Sequence, residues 1–510
     1  MKSLTKVVPT LRQAITKNSI RCFGTRVESD LIGELNVPDE AYYGVQTLRA
    51  VNNYNITGVK LNHFPTFIKA FAMTKKACAI ANGRLGLVDN KISQSIQQAA
   101  DEVISGKFNN QFVVDMIQGG AGTSTNMNCN EVIANRALEI MGHKKGEYQY
   151  ISPNDHVNKC QSTNDTYPSS AKLGMALQHV AFQQEMENLV EALRKKAREF
   201  DGVIKMGRTQ LQDAVPMTLG QEFDAYARTL ESDLPIIRSA VHRFYIVNLG
   251  GTAIGTGTAA HPDFSPAVVK ALGEVTGLPI ELADNLIAAT SSTGSMTYYH
   301  GIIKRVAIKL SQICNDLRLL ASGPRCGLHE INLPAMAPGS SIMPGKVNPV
   351  IPEVVNQTCF QIIGNDMACT MGSEAGQLEL NVMEPVIIYN CYNSVEMMTR
   401  ALRTLRTLCI DGITANKDRC EELVHNSIGV VTALLPYIGY KNASKCAKIA
   451  NQTGKSIATV LVEQGCLTPQ EVKELLVPEK MTKPNYMAKQ GLNKGVKVHS
   501  VDQVGGAEYK

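Results

Sequence analysis

Residues Gly339–Pro349 read GSSIMPGKVNP. Two serines, a lysine and an asparagine are packed between glycines and prolines, the residues that interrupt regular structure, so the stretch reads as a loop beside a helical run. Hydroxyls, amides and open backbone N–H groups are what a small dicarboxylate needs from a protein. Two other loops of similar look are excluded. A phosphate-binding loop would share Gly339, Gly345 and Lys346, but five residues separate the glycines here instead of four, and Val347 stands where a Ser or Thr is required. No GxSxG elbow surrounds Ser340 or Ser341, so the serine is not presented as in an esterase.

Three more polar islands have the same character. They are Gly119–Asn130, at the start of GGAGTSTNMNCNE; Ser162–Asp165, within HVNKCQSTND; and Gly207–Asp213, GRTQLQD. Each reads as a loop adjoining a helix, and VIANRALEIMG after the first reads as helix. Gly119, Gly120 and Gly122 do not form the dinucleotide fingerprint. Taken singly, a Ser/Thr/Asn-rich island is a turn or a cap.

Helical periodicity dominates the middle of the chain. Met186, Leu189, Val190, Leu193 and Ala197 follow one face, and Ile302, Val306, Leu310, Ile313, Leu317 and Leu320 follow another, with Arg305, Lys309, Asp316 and Arg318 between them. Such long stripes want partners along their whole length, as in a helix bundle. The class expected is mainly α. The divisions expected are 28–162, mixing short helices and loops, 163–416, a bundle of long helices, and 417–510, a smaller polar region with helices at Ser456–Glu463 and Pro469–Leu476 and a Gly/Lys-rich tail from Lys483. The acids that open DEAYYGVQTLRAV (Asp39–Val51) are expected at a helix N-terminus.

Composition narrows the function classes. Apolar residues make up 44% and charged residues 19%, a globular balance, and Trp is absent, so stacking platforms for bases are poorly supplied. The formal charge is +5, but six basic residues and no acid lie in residues 1–27. Without them 45 basic residues face 46 acidic ones, which removes a nucleic-acid footprint. Residues 1–27 have the make-up of a mitochondrial transit peptide, with Arg21 at the third position before a cut after Phe23. The expected compartment is the mitochondrial matrix, or the cytoplasm if the segment is not such a peptide. The 13 cysteines show no CxxC and no metal-ligand spacing, so most are expected as core residues.

GSSIMPGKVNP resembles the GSSxMPxKxNP signature of the fumarase/aspartase superfamily, and the other islands follow in that family's order over roughly residues 28–480. AYYGVQTLRA, HVNKCQSTND, KMGRTQLQDAVPMTLGQEF, GPRCGLHEINLP and QLELNVMEPVI are similar to the aspartate ammonia-lyase branch; PGK is the fumarase form of the loop. Fumarases carry His where this chain has Gln210, and Gln cannot relay a proton with Glu353. The resemblance implies a three-domain fold whose long central helices join a tetrameric core, with each active site built from three chains.

The implied reaction is anti-elimination of ammonia from L-aspartate to give fumarate. Ser340 would be the base on a mobile loop, with Lys346 and Asn348 on the α-carboxylate beside Thr209 and Gln210. Thr123, Ser162, Thr163 and Ser341 would hold the β-carboxylate, and Asn164 the amino group. No cofactor is implied; activation by a divalent cation stays open. SPNDHVNK, with Asp155 and His156, is similar to a peripheral anion site of the family but has Ser152 where fumarases have His. Fumarate hydratase, and a family member retained without turnover, stand as the alternatives.

Overall fold

The computed structural model describes residues 24–485. The expected transit peptide up to residue 23 and the tail beyond 485 lie outside the described residues. The chain opens with an antiparallel hairpin, β1 (Thr25–Asp30) and β2 (Gly33–Pro38). Asp30 closes its turn by accepting from the Ile32 and Gly33 N–H groups. Helices α1 (Val45–Asn53), α2 (Pro65–Arg84), α3 (Asn90–Ile104) and α4 (Thr123–Ile140) follow. Next comes α5 (Thr163–Glu199), 37 residues long, and then the hairpin β3 (Ile204–Thr209) and β4 (Gln212–Thr218). After α6 (Leu219–Glu231) and α7 (Leu234–Val241), the short strand β5 (Ile246–Val247) pairs in parallel with β6 (Glu281–Leu282) across α8 (Phe264–Thr276). Then come α9 (Leu286–Ser291), α10 (Gly294–Leu320), β7 (Ile331–Asn332), α11 (Val350–Glu374), α12 (Glu384–Leu408) and β8 (Thr414–Ala415). The end is formed by α13 (Lys417–Asn426), α14 (Leu435–Thr453), α15 (Ile457–Glu463) and α16 (Pro469–Leu475). The mainly α class is thereby met, and α15 and α16 fall on the two helices expected there.

By contact the described residues divide into two compact units, each assembled from separate stretches: residues 24–175 with 245–293 and 375–386, and residues 176–244 with 294–374 and 387–485. This partition differs in kind from a linear division into three domains, because one boundary cuts α5. In the first unit α2, α3, α4 and α8 enclose an apolar core with Phe67, Phe71, Ile96 and Ile133 fully buried. The ring of Tyr167 lies among them, 5.8 Å from that of Phe67. Of the cysteines among the described residues only Cys326 is exposed, as a core role requires.

In the second unit α10 packs along α11. All six stripe residues of α10 are buried, each contributing roughly 2 kcal/mol relative to exposure. The polar residues between them are also used. Arg305 and Lys309 both pair with the buried Asp233, each at 2.8 Å, and Asp316 accepts from the Tyr226 hydroxyl. Two histidines sit in this interior. His300 bridges Asp366 (3.0 Å) and Ser394 (2.9 Å), and His179 bridges Tyr299 and Gln183. The far face of α11 shows Phe360, Met367 and Met371 about 60% exposed on the single chain. A helix apolar on both faces wants a partner on both.

The acids of Asp39–Val51 do not cap α1. Asp39 and Glu40 are exposed in the preceding turn, and the helix begins only after Gly44. Its first N–H groups are buried, so their acceptors come from the interior. Glu131 on α4 accepts from the N–H groups of Gly44, Gln46 and Thr47 and from the Thr47 hydroxyl, and Glu28 accepts from Val45 N–H. An ionised carboxylate suits this place because it only accepts and the helix dipole favours its charge, while burial opposes that charge and raises the Glu131 carboxyl to about 7.

Two outcomes follow from these contacts. Glu131→Gln turns an amide donor toward those N–H groups and is expected to cost roughly 2 kcal/mol, against about 0.5 or less for exposed Glu191→Gln. Comparison of the two melting curves checks it, and equal curves would show that Glu131 is not the cap. Burial lowers the pKa of both His179 and His300 from the ordinary 6.5. The unfolded chain therefore binds protons below pH 6.5 that the fold refuses. Their stabilising effect is complete above that pH and declines as pH falls through it. The melting temperature should drop between pH 6.5 and 5.5, and less steeply in His300→Gln.

Candidate active site

The first unit carries two helix N-termini linked by side-chain bonds. The island at Gly119–Asn130 is a loop only as far as Gly122; α4 starts at Thr123. The expected loop fails because its asparagines are buried, with their amide nitrogens hydrogen-bonded inside the fold, not solvated. Asn128 accepts from Val113 N–H and donates to Gln111 O, and Asn126 and Asn130 are likewise buried. Gly120, Ala121 and Gly122 take φ of 85°, 54° and 92° in succession, turning the chain sharply into the helix. Gly122 must be glycine on two counts: its φ is left-handed, and a Cβ there would lie 2.5 Å from the Tyr167 ring. Gln118 closes the turn by accepting from Thr125 N–H and donating to Asp115 O. Thr123 is exposed at the helix start, and its hydroxyl donates to Gly120 O.

Ser162–Asp165 is likewise a helix start. Ser162 Oγ accepts from Asn164 N–H, and Asp165 reaches back to accept from Ser162 N–H, a reciprocal cap. Thr163 begins α5 and receives a bond from Asn126 Nδ2 at 3.1 Å, which ties the starts of α4 and α5 together. Pro168 lies one turn in and has no N–H for the Asn164 carbonyl; Asn248 Nδ2 supplies the missing donor at 3.1 Å. The Asn164 side chain donates to Ala253 O at 2.7 Å, leaving its own oxygen as an acceptor.

In the second unit, Gly339–Pro349 is a loop as expected, running up to α11. It is closed on itself: Gly339 N–H donates to Lys346 O at 2.7 Å, and Asn348 Nδ2 donates to Gly339 O at 2.9 Å. A Cβ on Gly339 would meet Lys346 O at 2.4 Å, so the closure demands glycine. Ser340 Oγ accepts from two backbone N–H groups, Ile342 at 3.1 Å and Met343 at 3.0 Å. Two fixed donors on one hydroxyl oxygen favour its anion. Ser341 and Lys346 are exposed, as are the apolar Ile342 and Met343.

Gly207–Asp213, expected as a loop, is the hairpin of β3 and β4. Gln210 and Leu211 form its two-residue turn with φ of 54° and 62°, the left-handed pair that matches strand twist. Thr209 and Gln210 are exposed at this tip. Below them a buried charge cluster fixes the strand: Lys205 pairs with Glu222 (2.6 Å) and Glu330 (3.0 Å), and Arg208 with Glu330 (2.7 Å).

Sequence reasoning missed several supporting residues. Lys75 on α2 is fully buried beneath the starts of α4 and α5, and burial lowers its pKa to about 8. Asp165 is buried, which raises its carboxyl to about 6 against the bonds from Ser162, Thr166 and Thr252. Its second oxygen holds the Gly250 and Thr252 N–H groups of GGTAIGTG (250–257). That glycine-rich run was the available signal; a lysine in an apolar helix gave none. Ser152 bonds to both Asp155 and His156: its hydroxyl donates to the Asp155 carboxylate and its N–H donates to His156 Nδ1. Among the described residues no three His, Cys, Asp or Glu side chains converge as metal ligands would.

Residues 33–364 match a family described as lyase, and residues 430–483 match one described as fumarase C C-terminus. Aspartate ammonia-lyases from Helicobacter pylori strain J99 and Pseudomonas fluorescens are 54% and 55% identical, covering 91% of this chain and 99% and 97% of theirs. A fumarate lyase:delta crystallin from Brucella melitensis, bound to cobalt, is 49% identical with a TM-score of 0.88, over 90% of this chain and 100% of that one. A class II fumarase from Schistosoma mansoni is 35% identical with a TM-score of 0.86, over 90% and 99%. With the signature loop, the two helix starts and the hairpin all on matching ground, the chain belongs to the fumarase/aspartase superfamily of lyases.

Proposed function

We propose that this chain is an aspartate ammonia-lyase, a carbon–nitrogen lyase that interconverts L-aspartate with fumarate and ammonia. The observation that carries the reading is identity of 54–55% to aspartate ammonia-lyases over 91% of the chain, against 35% to a class II fumarase. Gln210 at the hairpin tip agrees with it: an amide binds a carboxylate but cannot exchange the proton that a water-handling site needs. Fumarate hydratase is the second reading, supported by PGK in the loop.

The hard step is removal of a weakly acidic β-proton, because the electron pair must be taken up by a carboxylate that is already charged. We assign Ser340 as the base. The N–H groups of Ile342 and Met343 stabilise its oxygen as an anion, and Lys346 adds positive charge. Ser340 takes the Cβ proton, the pair is held as the aci-carboxylate, and it then forms the double bond as the Cα–N bond breaks and ammonia leaves. Thr123, Ser162, Thr163 and Ser341 hold the carboxylate on which charge develops, helped by the positive ends of α4 and α5. Lys346, Asn348, Thr209 and Gln210 hold the other, and the free oxygen of Asn164 accepts from the amino group. Closure of the Gly339–Pro349 loop excludes water while the charge exists. No step requires a cofactor.

We further assign a homotetramer in which three chains contribute to each active site. The exposed Phe360, Met367 and Met371 of α11 support a shared helical core. Residues 1–27 are proposed as a mitochondrial address, on their composition alone.

Purified protein given L-aspartate should generate fumarate, followed by its ultraviolet absorbance. Activity on L-malate alone would replace the aspartase reading with the hydratase one, and a folded protein silent on both would favour a non-catalytic role. Ser340→Ala should lower turnover by at least about 10³-fold while aspartate still binds; surviving turnover would move the base elsewhere.

A further inference from the structure

Lys75 spends its three donors on three neutral amide oxygens: Asn126 Oδ1 at 2.7 Å, Asn158 Oδ1 at 3.0 Å and Gln161 Oε1 at 2.8 Å. An ammonium has no acceptor, so it fixes which way each amide points. Asn126 must turn its oxygen to Lys75 and its NH2 away. That NH2 donates to Asn158 Oδ1 and, at 3.1 Å, to Thr163 Oγ1. Thr163 is therefore an acceptor on its inner side, and its own proton is left to point outward.

We infer that Lys75, acting through Asn126, is a positioning residue that sets the Thr163 hydroxyl as a hydrogen-bond donor to a dicarboxylate. The inference rests on the assignment of Thr163 to the substrate carboxylate. A threonine hydroxyl can donate or accept, and only the donating state attracts an anion. A buried cation is a costly way to hold three amides. The cost is intelligible if the polarity it enforces reaches the ligand, and the charge itself adds attraction for a carboxylate in a poorly screened interior.

The test is a double-mutant cycle read as the inhibition constant of succinate, a dicarboxylate that cannot eliminate. Asn126→Asp is nearly isosteric and keeps an acceptor on Lys75, but it puts an acceptor where the amide donated to Asn158 Oδ1 and Thr163 Oγ1, so a merely structural role predicts some loss of stability and an effect on succinate binding that does not depend on Thr163. The inference predicts weaker binding by roughly tenfold, because the second carboxylate oxygen now accepts the Thr163 proton and turns it inward. Thr163→Val should weaken binding to a similar extent, and the double variant should be little worse than either single one. Lys75→Met, which frees the Asn126 amide to rotate, should give the same coupling to Thr163→Val and serves if Asn126→Asp does not fold. Independent, multiplying effects of Asn126→Asp and Thr163→Val would overturn the inference. An unchanged succinate constant in Thr163→Val alone would instead remove Thr163 from the substrate site.

Discussion

The starts of helices α1, α4 and α5 are partly buried, and each leaves backbone N–H groups with no partner inside its own helix. Much of the first unit is arranged around that constraint. Glu131 and Glu28 satisfy α1 from the interior, and Ser162 with Asp165 satisfies α5 locally. The Thr123 hydroxyl is spent on Gly120 O, so the outward side of Thr163 and the dipoles of two helices are what remain unspent there. A binding site of this kind is what is left over once the structural donors have found their acceptors.

The second unit meets the corresponding demand with a loop. Gly339, Lys346 and Asn348 close Gly339–Pro349 through main-chain and amide bonds, and the closure directs two N–H groups at Ser340 Oγ. Neither serine nor lysine is unusual in itself. The backbone path makes a serine oxygen a place where negative charge is tolerated, and Ile342 and Met343 stand exposed on the same loop. The buried cluster of Lys205, Glu222, Glu330 and Arg208 does comparable work for the hairpin. It anchors the strand whose turn presents Thr209 and Gln210 at an exposed tip.

Much of this was legible in the sequence, for identifiable reasons. The stripe of α10 was readable because a period between three and four repeats over many turns, and all six residues lie in the core. The loop at Gly339–Pro349 was readable because Gly and Pro act locally. The helix starts at Thr123 and Thr163 and the hairpin at Gln210 resemble loops in sequence, since polar residues on a buried face look like a solvated turn until their partners are known. Asp39 and Glu40 mislead for the complementary reason: they are near α1 in sequence, but the carboxylates that cap it come from residues 28 and 131.

By itself the sequence determined the mainly α class, the signature loop and the inventory of hydroxyls, amides and Lys346 available for chemistry, because these depend on local periodicity and on residue identity. The tertiary structure alone decided which way those groups point. The direction of the Thr163 hydroxyl depends on Asn126, and Asn126 depends on Lys75, which lies 88 positions before Thr163 in the chain. Hydrogen-bond polarity propagates through space from groups that can only donate or only accept, and no local pattern in the chain records it.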